Sequence, residues 1–258
     1  MLEQFFQWYW NLVEESPDAV IAGSFVLALL TSVIMLAMVT LHKPSWFYDK
    51  ESDLENIEYV RKNWVSHSKI SFLLSIIFSG ISLILMGVLD VILFAPFVLT
   101  SLATVSFIAV FSLLTDPQLR LVDRHILRVG MLITFISSFM NAVVVYGADL
   151  GAMVGYFVLL VIIAIIGILP IKGMGASDSR AVVIVFLSLI SVLFSKGLVI
   201  SWLASLVVAF IYALKKNNWN IKKSLFTKVS LPLVPMLLFP AAALLIFAAP
   251  LIKTGIFF

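Results

Sequence analysis

Ala19-Val-Ile-Ala-Gly-Ser-Phe-Val-Leu-Ala-Leu-Leu-Thr-Ser-Val-Ile-Met-Leu-Ala-Met-Val-Thr-Leu41 runs without a single charged residue. A helix needs about 20 apolar residues to cross a hydrocarbon core of roughly 30 Å, so this segment alone is long enough to span a bilayer. Ile70–Leu89 and Val91–Thr115 are of the same kind, separated by Asp90. Val129–Tyr146 and Leu150–Pro170 form a further pair around Gly147-Ala148-Asp149. Ala181–Leu214 is too long for one span and is interrupted by Lys196-Gly197, which reads as two short helices joined by a tight turn. Leu231–Ile252 closes the chain. The expectation is an all-α, polytopic transmembrane helical bundle of about eight spans. No ten-residue alternating segments point to a membrane barrel.

Composition leads to the same class. Of the 258 residues, 62% are hydrophobic and 12% charged, whereas a soluble domain is nearer half apolar and a quarter charged. So much apolar surface cannot be hidden inside one small globule. Disorder is excluded for the same reason. The absence of cysteine removes a disulfide framework, a thiolate zinc site and a Cys nucleophile.

Basic residues accumulate on the cytoplasmic side of a membrane protein. With the N-terminus outside, only Lys196 and Lys253 of the 17 Lys and Arg fall on the outer face. The inner face then holds four segments: the charged connector His42–Lys69, the loop Asp116–Arg128, the glycine-containing loop Ile171–Arg180 and the basic loop Lys215–Lys228. Shifting the count by one helix would invert the bias. Glu3, Glu14, Glu15 and Asp18 before the first span agree with an outer N-terminus, and with no basic n-region the leader is not expected to be a signal peptide. Phe5, Phe6, Trp8, Tyr9 and Trp10 suit an interfacial aromatic belt. The expected location is the cytoplasmic membrane, crossed several times.

Two inner segments place an acid at a membrane boundary. Asp116 ends the third span in Ser112-Leu-Leu-Thr-Asp116-Pro117, and Asp178 opens the sixth in Gly175-Ala176-Ser177-Asp178-Ser179-Arg180. An ionisable group held where a helix meets lipid points to function. Two carboxylates close together in a partly dry cleft share a proton, because their pKa values separate. Such a pair can activate water as general base and protonate a leaving amine as general acid. The bland alternative makes Asp178 a helix N-cap and Asp116 an interfacial acid facing Arg120.

The residues around these acids resemble the type IV prepilin peptidases and the related archaeal preflagellin peptidases, membrane aspartic proteases with a GxGD signature. The counterpart here is Gly175-Ala176-Ser177-Asp178, with Thr115-Asp116 and Asp123-Arg124 as the first-aspartate loop. Lys228-Val-Ser-Leu-Pro232-Leu-Val-Pro235-Met-Leu-Leu-Phe is similar to the segment that opens the family's last helix. The pieces occur in the family's order, between about Val91 and Ile252. The resemblance implies Asp116 and Asp178 as catalytic residues, and Gly173, Gly175, Ser177 and Asp123 in contact with substrate. It implies no metal and no cofactor. The substrate would be a prepilin-like precursor with a basic cytoplasmic leader and an apolar helix in the bilayer. Residues 1–69 would be an extra N-terminal span plus charged connector, and residues 70–258 the catalytic domain. Ser177 replaces the second glycine of the signature, and the cysteine tetrad of many bacterial members is absent.

Gly173 and Gly175 would let a substrate backbone approach Asp178 closely. Asp123 is the alternative first acid. His42, His67 and His125 lie on separate segments without a pair at helical spacing and read as interfacial residues, not as a metal site. Gly147, Gly151 and Gly155 repeat every four residues and read as packing or turn glycines. Pro232, Pro235, Pro240 and Pro250 shape the last helix, and Lys215–Lys228 forms an anchor facing anionic headgroups. No basic groove with interleaved aromatics suggests nucleic acid. Two other readings use the same acids: an ion- or proton-coupled transporter, with Lys196-Gly197 and the proline-rich last span as discontinuous helices, and an inactive assembly factor.

Overall fold

A computed structural model describes residues 2–42, 54–88, 95–119, 124–147, 149–168, 176–219, 233–248 and 250, and no strand occurs among them. The helices are α1 (Leu2–Glu15), α2 (Pro17–Leu41), α3 (Leu54–Val88), α4 (Val98–Leu119), α5 (Arg124–Tyr146), α6 (Leu150–Ile168), α7 (Ala176–Lys216) and α8 (Leu233–Ile246). Among the described residues, five stretches are long and apolar enough to cross a membrane: Pro17–Leu41, Glu58–Met86, Val98–Thr115, His125–Tyr146 and Val199–Lys216. The exposed Val26, Leu30, Val33, Leu73, Ile77, Ile84, Val154, Ile162 and Leu206 make the outer surface apolar, as a lipid-facing wall must be.

The hub is α4. Its span is 89% buried, against 17% for Val199–Lys216, so α4 is walled by protein while the end of α7 faces outward. α4 carries Thr100, Ser101, Thr104, Ser106, Ser112 and Thr115 as buried hydroxyls. Several bond back to their own helix, as Thr104 Oγ1 does to the Thr100 carbonyl at 3.0 Å and Thr115 Oγ1 to that of Phe111 at 2.9 Å. A hydroxyl satisfied in this way costs little in lipid and lets neighbouring backbones come close.

α3 applies the same device along one face. Ser68, Ser71, Ser75, Ser79 and Ser82 recur at steps of three and four and are all buried. Ser75 Oγ donates to Ser32 Oγ of α2 at 3.0 Å, and Ser82 Oγ to the Leu245 carbonyl of α8 at 3.4 Å. α3 also corrects the sequence reading of its first turns. The connector ending at Lys69 is helical from Leu54, and at 35 residues α3 is about 52 Å long, beyond what a bilayer requires. Val60, Trp64, His67 and Ser68 of this segment are buried, so the charged stretch has a packed stripe.

α1 is a separate amphipathic helix set against the far end of α5. Trp10 Nε1 donates to the Val144 carbonyl at 3.3 Å. A Cβ at Gly147 would lie 2.9 Å from Phe6 Cβ, so only glycine admits that ring. Burial raises the Tyr9 hydroxyl above its ordinary pKa, keeping it neutral. Trp8 stays exposed, which suits the aromatic belt.

Ala176–Lys216 is helical at every residue, Lys196 and Gly197 included. It is nonetheless not straight. Ile184 packs beside Gly130 and Ile108, while Val208 and Lys215 line a groove with Leu113 of α4. A straight helix would hold Ile184 and Val208 about 36 Å apart. α7 therefore bends back between them. α8, with 14 residues, is about 21 Å long and too short to span alone. Val234, Leu238, Ala241 and Leu245 bury it in the bundle, and Pro240 inside it withdraws a helical partner from the Met236 carbonyl.

Candidate functional site

Helix register decides where the two candidate acids lie. Asn141 Oδ1 of α5 accepts the Phe97 amide at the start of α4 at 3.0 Å, and Gly130 of α5 faces Ile108 of α4, so these helices are antiparallel. Gly130 also faces Ile184 of α7, and Ser138 Oγ donates to the Leu187 carbonyl, so α5 and α7 are parallel. α4 and α7 thus run in opposite directions. Asp116 lies about 12 Å beyond Ile108 along α4, and Asp178 about 9 Å before Ile184 along α7. Both displacements point to the same end of the bundle.

Gly130 is the joint of this arrangement. A Cβ there would collide with Ile108 Cδ1 and lie 3.4 Å from both Ile184 Cδ1 and Thr104 Cγ2. Gly130→Ala asks only the flexible end of Ile108 to turn aside and should cost little, whereas Gly130→Leu should cost about 1–3 kcal/mol through overpacking. A detergent-unfolding series reads this, and Gly130→Leu as stable as the parent would mean that α4, α5 and α7 do not meet closely at this residue.

Asp178 sits in the first turn of α7, which begins at Ala176, so it is not the N-cap. A carboxylate in a first turn is favoured by the helix dipole. Ser177 and Asp178 are half-buried, and Ser179 and Arg180 are buried. None of these four lacks a partner. A guanidinium buried as far as that of Arg180 is tolerated only with compensating charge or hydrogen bonds. Asp116 lies in the last turn and a half of α4, before Pro117. The proline has no N–H, so the Leu113 carbonyl loses its helical partner one turn below Asp116. The Asp116 side chain and residues Asp123, Gly173 and Gly175 lie outside the described residues.

Three features at this end escape sequence reading. Trp64 of α3 is buried under it, donating from Nε1 to the Val39 carbonyl of α2 at 2.8 Å. Its ring meets Phe111 of α4 edge-on at 4.9 Å, five residues before Asp116. His42, which caps α2, and His125, in the first turn of α5, bring their rings to 4.1 Å. Their distance in sequence hides this contact. His67 is buried in α3. Among the described residues no group of three or more His, Cys, Asp or Glu is placed to hold a metal ion.

At the other end, Asp149 Oδ1 accepts the Ala152 amide at 3.0 Å and caps α6. Gly155 has nothing within 4 Å of a Cβ and Gly151 meets only Asp149, so of the three repeating glycines only Gly147 serves packing within the chain.

The described residues form an all-helical fold with several helices suited to crossing a membrane. Comparison with known proteins gives no matching family model, curated protein or solved structure.

Proposed function

We propose that the chain is a membrane aspartic endopeptidase that removes the leader of pilin-like precursors at the cytoplasmic interface. About eight membrane crossings and an outer N-terminus belong to this proposal, as does the type IV prepilin peptidase resemblance. The observation that supports it is the opposed direction of α4 and α7 across Gly130, which carries Asp116 and Asp178 toward one end. Asp116 and Asp178 serve as the acid pair, one activating water and the other protonating the leaving amine. Gly173, Gly175, Ser177 and Asp123 line the approach of the substrate backbone. The substrate's apolar helix partitions beside the enzyme's helices, which brings the scissile bond to the depth of the acids.

Co-expression with a pilin-like precursor tests this reading. The expected result is a product shortened at the junction of basic leader and apolar helix, and an intact precursor would contradict it.

The acidic residues Asp49, Glu51, Asp53, Glu55 and Glu58 bear on leader recognition. Glu58 is exposed at the start of α3, where charge reaches a partner in water, and the side chains of the other four lie outside the described residues. Neutralising all five should slow processing of a basic leader about 5- to 30-fold, given roughly 1–2 kcal/mol of steering at low salt. A leader stripped of its charges should be cleaved at an unchanged rate. Equal losses for both leaders would remove this role.

A further inference from the structure

A groove of about 250 Å³ runs between α4, the returning part of α7 and α8. Leu113, Val208, Ile211, Met236 and Phe239 form its apolar wall, and Lys215 lies at one end. Val208, Ile211 and Lys215 stand at i, i+3 and i+7, so the groove follows one face of α7 for about 10 Å. Leu113 and Ile211 are exposed, which opens the groove sideways to the surrounding medium. Where α7 ends, the sequence turns polar, with Lys215, Lys216, Asn217 and Asn218 in a row. Lys215 and Lys216 occupy its last turn, and Trp219 follows, 66% exposed and with φ 61. Its amide donates to the Leu214 carbonyl at 2.7 Å, which holds this indole at the helix terminus. Lysines and an exposed tryptophan at the end of an apolar helix mark an interface.

We propose that this groove holds an acyl chain of an anionic phospholipid, with the headgroup phosphate against Lys215 and Lys216. Dimensions favour a lipid over a polypeptide. Even with its open side included, the empty space of the groove is about 630 Å³, below the roughly 800 Å³ that a 10 Å length of helix 10 Å across fills. Charge favours an anionic headgroup, since two lysines meet a net negative lipid better than a zwitterionic one, by about fivefold per lysine. The inference is independent of peptidase activity.

Native mass spectrometry of the detergent-solubilised full chain tests it, with dioleoylphosphatidylglycerol and dioleoylphosphatidylcholine added in competition. The wild type should retain one phosphatidylglycerol at least fivefold more readily than phosphatidylcholine. Lys215→Gln with Lys216→Gln should bring the two lipids level. Leu113→Trp fills the groove and should reduce retention of both, and Val208→Trp fills it from α7 should the first variant fail to insert. Equal retention of the two lipids by the wild type would overturn the proposal, as would undiminished phosphatidylglycerol binding in a filled groove. A co-purifying peptide displaced by groove filling would overturn it in favour of a polypeptide occupant.

Discussion

Asp116→Asn and Asp178→Asn should each lower processing of a co-expressed pilin-like precursor by about 10³-fold, within the range that a positioned acid or base contributes. Asparagine keeps the size of the side chain and removes the proton-transfer group. Insertion should be unaffected, because each residue lies near a helix end: Asp178 in the first turn of α7 and Asp116 close to the last of α4. At Asp178 the change forfeits the favourable interaction with the helix dipole, about 0.3–1 kcal/mol. If the two act as one unit, the double variant should be no worse than either single one, since groups that act together are strongly non-additive. Leader removal is read by the mass of the mature product and insertion by yield in the membrane fraction. Processing that persists in either variant would contradict the peptidase reading and favour an ion-binding role.

The second large effect is expected at Trp64. In lipid, removing a buried apolar side chain does not forfeit a transfer term as it does in water, because hydrocarbon surrounds the unfolded helices too. What Trp64→Ala loses is the packing against Phe111, the volume of the indole and the donor to the Val39 carbonyl. Cavity and orphaned carbonyl together should cost about 3 kcal/mol. Val39 is one of the last residues of α2, whose carbonyls have no helical partner, so the indole completes that helix end. Trp64→Phe separates the contributions, since it keeps a ring and loses only the donor, at about 1 kcal/mol. Because Phe111 precedes Asp116 on α4, Trp64→Ala should also slow processing, whereas Trp64→Phe should leave it near normal. Equal destabilisation by the two variants would mean that the hydrogen bond, and not the packing, carries this joint.

The helical membrane character is plain in the sequence because uncharged runs such as Ala19–Leu41 have no other stable form in lipid. Ala181–Leu214 reads as too long for one crossing, and α7 does bend between Ile184 and Val208. The placement of basic residues predicts Asp116 and Asp178 on one side, and the directions of α4 and α7 carry both toward one end of the bundle. What escapes depends on partners distant in sequence. The helical start of α3 is disguised by mixed charge, although Val60, Trp64, Ser68 and Ser71 keep a stripe at steps of three and four. The contact of His42 with His125 arises only when α2 ends beside the start of α5. Gly151 and Gly155 mislead in the other direction. Their spacing suits close helix packing, yet α6 turns them outward.

The central claim is that the end of α4 and the beginning of α7 bring two carboxylates together at one membrane face. The chain contains no cysteine, so pairs of thiols can be introduced on a silent background. Asp116→Cys combined with Asp178→Cys, treated in native membranes with a short bifunctional thiol reagent, should yield an internally bridged monomer. Each single cysteine should react with an impermeant maleimide from the same side only. An unbridged pair whose members are labelled from opposite sides of the membrane would contradict the account.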